Sequence, residues 1–221
     1  INPDGKLTFV ASFGKKGEGY GEFNSIGELI VKDNFIFVSD QGSRIQTLRI
    51  NPDGKLTFVA SFGKKGEFEI VDIFIKDNLM LLIEYYFEGD FLGPQERILV
   101  DNHIYLLKVN PDGTLVPIST FGKKGKSKGQ FDAIGSAIIK GDYFFIAEYN
   151  LLEQLGGKPG NHRLQILKIA SDSKVLFVSV FGKKGEKAGE FYFPSSLVIK
   201  DNYLYVADWG NSRIQALEIK Y

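Results

Sequence analysis

Four acidic residues recur at matching places in the chain, and three of them come with a partner. Asp40, Glu84, Glu148 and Asp208 each close an apolar run, FIFVSD, LMLLIE, YFFIAE and YLYVAD. Three precede an arginine at the start of the next apolar run, namely Arg44, Arg163 and Arg213. A carboxylate and a guanidinium at fixed separation make strong charge-assisted hydrogen bonds, which suits them to bracing the connection between two strands. Glu84 breaks the pattern by aligning with His103, a pair that serves either as a satisfied hydrogen bond or as a base with its orienting partner. Two further acids, Glu28 and Asp72, align with Ser136 and Ser196. Carboxylates and hydroxyls that converge at the mouth of a central channel suit a hard cation such as Ca²⁺, although the same positions also suit packing between sheets.

Basic residues repeat as regularly. The lysine pairs Lys15-Lys16, Lys64-Lys65, Lys123-Lys124 and Lys183-Lys184 all sit inside the motif FGKKG. Four such pairs on one face form a ring that would attract an anionic polymer, RNA or an acidic polysaccharide, through phosphate or carboxylate contacts and stacking on nearby aromatics. The alternative is a solvated turn copied with the repeat and neutralised by Glu18, Glu22, Glu67, Glu186 and Glu190. A balance of 27 basic against 27 acidic residues favours the second reading. Other chemistry is short of groups. With no cysteine and two histidines there is no thiolate nucleophile and little to hold a transition metal. Phosphate-loop, zinc-protease and serine-hydrolase motifs are absent too.

The elements that position these residues follow from the repeat. FGKKG begins at Phe13, Phe62, Phe121 and Phe181, which are 49, 59 and 60 residues apart. Each unit contains four short apolar runs, a to d, separated by turn residues, the pattern of a four-stranded antiparallel meander. The a-to-b turns are Asp33-Asn34, Asp77-Asn78, Gly141-Asp142 and Asp201-Asn202. Pro117 in the third d run has no N–H for a ladder, so that strand belongs on a sheet edge. The fold expected is an all-β propeller of four blades, one domain over residues 1–221, with units at about 15–63, 64–122, 123–182, and 183–221 plus 1–14. Residues 1–18 and 50–67 are identical, so Leu7–Gly14 should serve as a d strand and close the ring against Arg213–Ile219, within the chain or across two chains.

The fourth unit, with Gly189-Glu190-Phe191, Pro194, Tyr205-Val206-Ala207-Asp208, Gly210-Asn211 and Arg213-Ile214-Gln215, resembles the NHL repeat. The other units carry weaker copies, such as Gly21-Glu22-Phe23 with Arg44-Ile45-Gln46. The resemblance implies a β-propeller from a group that mostly binds proteins, RNA or small ligands, with a minority of lyases and hydrolases. Two features depart from it: four repeats stand where six blades are usual, and the second unit has Glu84 and His103-Ile104-Tyr105 in the signature positions.

In a meander the d-to-a and b-to-c loops share one face, and the variation falls there. The b-to-c connection is short in the first and last units but spans about 85–102 in the second and 149–162 in the third. Long loops on a regular scaffold usually carry function. Candidate binding residues are therefore Tyr85, Tyr86, Phe87, Phe91, Tyr149, Leu151, Leu155, His162 and Trp209, together with the lysine pairs. The reading is a non-enzymatic binding scaffold for a protein partner or for self-association. Its alternatives are a structural subunit linked by strand exchange, an anionic-polymer binder, and a metal-dependent lyase or hydrolase. No run approaches the roughly 20 apolar residues of a membrane span, so membrane insertion is not expected. The opening residue, Ile1, leaves open an upstream leader and hence an extracellular or periplasmic location.

Overall fold

A computed structural model describes residues 5–40, 44–63, 69–88, 98–150, 153 and 159–220. Each unit forms its own antiparallel sheet. The first contains β1 (Ile26–Lys32), β2 (Phe35–Asp40), β3 (Arg44–Ile50) and β4 (Leu56–Phe62). The second contains β5 (Glu69–Lys76), β6 (Leu79–Glu88), β7 (Ile98–Val109) and β8 (Leu115–Phe121), and the third β9 (Ile134–Lys140), β10 (Tyr143–Glu148), β11 (Arg163–Ile169) and β12 (Val175–Phe181). The fourth has three strands, β13 (Pro194–Lys200), β14 (Tyr203–Asp208) and β15 (Arg213–Glu218). Strand order follows chain order in every sheet, and β8, with Pro117, is an edge strand as expected.

Turn chemistry fixes these hairpins. Asp33, Asp77, Gly141 and Asp201 all take a left-handed conformation at the first turn residue, which short-side-chain acids and glycine tolerate best. The first glycine of FGKKG has a packing reason as well. Gly122 has φ +90°, and a Cβ there would lie 2.5 Å from the Phe131 ring, so any other residue would expel that phenylalanine from the core.

The core lies between consecutive sheets. Met80 and Leu82 pack with Phe35 and Phe37 of the first sheet, while Leu81 and Ile83 pack with Phe144 and Leu167 of the third. Burial on both faces explains why β6 reads as an unbroken apolar run rather than an alternation. Phe145, Ala147, Leu197, Leu204 and Val206 fill the space between the third and fourth sheets. The first sheet also buries Val38 and Leu48, with Phe23, on its other face, so the uncovered apolar side chains belong to particular strands. Leu29 and Val31 on β1, and Val198, Tyr203 and Tyr205 on the fourth sheet, are exposed.

Two expectations are corrected. Closure by Leu7–Gly14 within the chain is not seen, and the fourth sheet has three strands among the described residues rather than four. β15 pairs with β14 alone, and Leu7 and Phe9 are 98% and 81% exposed. The physical reason is the course of the packing, which runs from β1 to β5, β5 to β9 and β9 to β13. Among the described residues no strand pairs with the outer edge of β15, and residues 7–14 belong to no sheet. The second correction concerns the 85–102 insertion, which is in large part a lengthened hairpin. β6 continues to Glu88 and β7 begins at Ile98, with Tyr85 opposite Asn102 and Phe87 opposite Leu99. Tyr85-Tyr86-Phe87 favour strand and supply no turn residue before Gly89.

Candidate functional site at the junction of the third and fourth units

The FGKKG loops are built alike. The backbone N–H of Phe23, Phe131 and Phe191 donates to the carbonyl of Lys15, Lys123 and Lys183 at 2.8–2.9 Å, folding each loop back on itself. The lysine side chains point outward and find acids. Lys15 lies 3.0 Å from Glu22 and Lys183 lies 3.4 Å from Glu190. Glu22 is held below the ordinary carboxylate range by the Gly19 N–H and by Lys15. Lys16 and Lys124 form backbone bridges, and the Lys124 N–H donates to Asp101 at 2.7 Å. Lys64 and Lys65 lie outside the described residues.

The arginine braces tie these loops to the b-to-c connections. Arg44 donates from Nε and a terminal nitrogen to Asp40 at 3.0 and 2.8 Å, and reaches the carbonyls of Glu18 and Glu22 at 2.7 Å. Arg213 repeats this with Asp208 at 2.7 Å and the carbonyls of Lys187 and Glu190 at 2.8 Å. Arg163 does the same with Glu148 and the carbonyls of Ser127 and Gln130. A glutamine two residues on completes each brace. Gln46, Gln165 and Gln215 each accept from a glycine N–H at 2.9 Å and donate to a loop carbonyl at 2.6–2.7 Å. Burial pushes the Glu148 carboxyl up, and Arg163 and Asn161 only partly oppose it. At Asp208 burial also raises, but the donors from Tyr192, Asn211, Arg213 and Gln215 outweigh it, and the carboxyl stays low. In the second unit Glu84 and His103 face each other across β6 and β7, and His103 Nε2 lies 3.6 Å from Asp101.

The b-to-c connections of the second and third units latch onto the unit that follows. The Tyr85 hydroxyl donates to the Ile134 carbonyl, and Asn102 donates to the carbonyls of Phe131 and Asp132 at 3.1 Å. Tyr85 is thus a core residue, its hydroxyl pushed up by burial, whereas Tyr86 is 44% exposed. At the next junction His162 is buried, and its Nδ1 accepts the Phe193 N–H at 3.0 Å. The ring hydrogen therefore sits on Nε2, which donates to Glu153 at 2.8 Å. Burial alone would raise the Glu153 carboxyl, but hydrogen bonds from His162, Lys184 and the Gly160 N–H hold it at about 2. A carboxylate so saturated with donors is a structural anion and not a base for catalysis.

Around that anchor stands an aromatic cluster. Phe193 is buried with a left-handed backbone, φ +54°, and its ring lies 4.7 Å from His162, 4.5 Å from Tyr192, and 5.7 Å from both Tyr149 and Trp209. Lys184 sits 5.0 Å above the Tyr192 ring, and Trp209 is 58% exposed. Aromatic faces, an indole N–H and one ammonium thus meet on the loop face. Of the predicted residues the structure brings together Tyr149, His162, Trp209 and Lys184. Phe91, Leu151 and Leu155 lie outside the described residues, as does the side chain of Phe87. Tyr192, Phe193 and Glu153 were not anticipated. The first two were signalled by a break in the repeat, because Tyr192-Phe193-Pro194 replaces Asn24-Ser25-Ile26 and Asp132-Ala133-Ile134.

Glu28 and Asp72 lie on the neighbouring strands β1 and β5, and no third Asp, Glu or His joins them in a metal-sized cluster among the described residues. Burial, and to a smaller extent the charge of Glu28, push the Asp72 carboxyl up to about 6 from 3.8. A folded-state value above the unfolded one costs stability: the penalty is absent below about pH 4, grows as pH rises, and is complete above about pH 6. Asp72→Asn, which keeps an oxygen for the Ile73 N–H, should therefore stabilise the protein by about 1–2 kcal/mol at pH 7.5, allowing for partial solvent screening. Urea unfolding at pH 4 and pH 7.5 tests this, with the gain confined to the higher pH. Two clefts among the described residues lie on the opposite face. They measure about 560 and 550 Å³, and the residues around them include Lys76 with Lys168 and Lys32 with Arg49. They repeat at successive sheet boundaries, so they follow from the repeat geometry rather than marking a single site.

No curated protein matches the chain. Among solved structures, the computationally designed Ika4 protein aligns over 93% of this chain and 100% of its own at 10% identity, with a TM-score of 0.52. The N-terminal domain of Nup159 aligns over 99% of this chain and 52% of its own at 12% identity, with a TM-score of 0.47. At such identity the first is a likeness of fold alone. The family model that matches is the LVIVD repeat, a β-propeller-type repeat, over residues 194–212, the stretch that carries Trp209, Pro194 and the strands β13 and β14.

Proposed function

We propose that this chain is a non-enzymatic binding scaffold of β-propeller type, with repeats similar to the NHL class, and that it takes a protein partner on the face carrying the FGKKG and b-to-c loops. The observation that carries this reading is the half-exposed Trp209 beside Tyr192 and Lys184, held in place by the Glu153–His162–Phe193 anchor. Rigid aromatics with a neighbouring cation are the residues that dominate protein interfaces. Glu153 and Asp208, the acids near it, are held ionised by hydrogen-bond donors, which supports binding over turnover.

Trp209 is the sole tryptophan, so its emission reports on the site directly. Titration with aromatic and aliphatic peptides should shift the emission to shorter wavelength, and Trp209→Ala should weaken binding about tenfold or more without moving the melting temperature. RNA oligomers and acidic polysaccharides serve as the competing ligands. A response to these alone, falling steeply with salt, would transfer the reading to an anionic polymer.

A further inference from the structure

We propose that the aromatic site is gated by a proton on His162: it keeps its shape while the ring is neutral and opens when the ring takes a second hydrogen. As a control on partner binding this rests on the reading of the loop face as a binding site, whereas the structural step belongs to the free protein and is tested there.

One ring nitrogen carries the gate. The N–H of Phe193 points at Nδ1 of His162, 3.0 Å away, and only a ring without hydrogen on that nitrogen can accept it. Protonation sets two N–H groups facing each other across that distance. His162 is 1% exposed, and a buried N–H that loses its acceptor is costly. Phe193 is poised to respond, because its backbone is left-handed, φ +54°, in a residue whose side chain disfavours that region. The equivalent residues of the first and third units, Ser25 and Ala133, do not adopt a positive φ. Strain of this kind persists only where the surroundings impose it, and the bond to His162 is what holds the Phe193 N–H.

The same residue holds Trp209. The Phe193 carbonyl accepts the Trp209 N–H at 3.2 Å, the Tyr192 carbonyl accepts the Gly210 N–H at 2.7 Å, and the Phe193 and Trp209 rings meet edge to face at 5.7 Å. A change of backbone at Phe193 therefore moves the exposed tryptophan and the neighbouring Tyr192 ring together. Two departures from the repeat meet in this one hydrogen bond. His162 stands before Arg163 where the first and last units have Ser43 and Ser212, and Phe193 stands where the first and third have Ser25 and Ala133.

The charges around His162 let the ring titrate in place. Nε2 donates to Glu153 at 2.8 Å, and Glu153, which also accepts from Lys184 and the Gly160 N–H, is ionised down to about pH 2. It supplies the counter-charge for an imidazolium. The other titratable groups nearby turn elsewhere. Asp132 and Glu148 accept from Asn161, Glu148 also accepts from Arg163, and Asp208 accepts from the Tyr192 N–H and Arg213. Tyr192 touches His162 through its ring alone, and Tyr149 lies beyond Phe193. A proton thus breaks the Phe193 bond and keeps the Glu153 bond, so the response is confined to this junction.

The chain has two histidines, so the imidazole signals of the isotopically labelled, unmodified protein separate into His162 and the part-exposed His103. On acidification from pH 8, His162 should gain its second hydrogen, the Phe193 amide signal should shift and Trp209 emission should move to longer wavelength, all with one midpoint and with unchanged β circular dichroism. Emission that moves at another pH, or not at all, overturns the proposal, and so does unfolding before His162 titrates. Two substitutions divide the two ring bonds. His162→Asn keeps an acceptor for the Phe193 N–H and cannot titrate, so its Trp209 emission should stay constant with pH. A transition that survives there belongs to Glu148, whose carboxyl burial pushes up, and overturns the proposal. His162→Gln keeps the donor to Glu153 and lacks the acceptor, so its emission should match the acid form at every pH. The aromatic and aliphatic peptides should bind the acid form about tenfold more weakly or worse, and equal affinity overturns the gating. Peptides that bind at no pH would overturn the reading of the loop face, and the free-protein measurements then decide the gate by themselves.

Discussion

Arg163→Ala is expected to destabilise the protein by about 3–5 kcal/mol, because it leaves the fully buried Glu148 without its cation. In a domain of this size that corresponds to a fall in melting temperature of roughly 6–20 °C. The loss should depend on pH in a defined direction. Burial already raises the Glu148 carboxyl, and removing Arg163 raises it further. A carboxyl raised in the folded state costs stability above its folded value and is relieved as pH falls. The difference between the two proteins should therefore be larger at pH 7.5 than at pH 5. Arg163→Lys should recover only part of the loss, since one ammonium cannot reach Glu148 and the carbonyls of Ser127 and Gln130 together. Urea unfolding of the three proteins at both pH values measures all of this. Equal stability of Arg163→Ala and the parent at pH 7.5 would show that the brace contributes nothing.

The brace was legible in the sequence because it repeats. An acid ending one strand and an arginine starting the next, three times over, leave few geometries other than the one found, and the strands themselves follow from alternation and turn residues. The glutamine of Arg-Ile-Gln was visible but its role was not, since its partners are backbone groups that carry no sequence signature. The anchor at the third junction escaped for the opposite reason. Glu153 lies in an insertion with no counterpart in the other units, and Phe193 is a departure from the repeat rather than an instance of it. Closure within the chain was expected from the repeat and is not seen, because a repeat specifies how a unit packs on its neighbour, while the return of the last sheet to the first depends on the small rotation accumulated at each boundary. No residue encodes that rotation alone.

The same point yields the second large effect, in which one substitution at one repeat position has opposite outcomes in two units. Ile104→Ala removes a fully buried side chain from the core between the second and third sheets and should cost about 2–5 kcal/mol. Ile214→Ala occupies the matching place on β15, where the side chain is 75% exposed, and should change the stability of the isolated subunit by no more than about 0.5 kcal/mol. Parallel denaturation of the two variants in dilute solution measures the contrast directly. Equal losses would mean that Ile214 is covered in the single subunit, and therefore that the fourth sheet is complete within one chain.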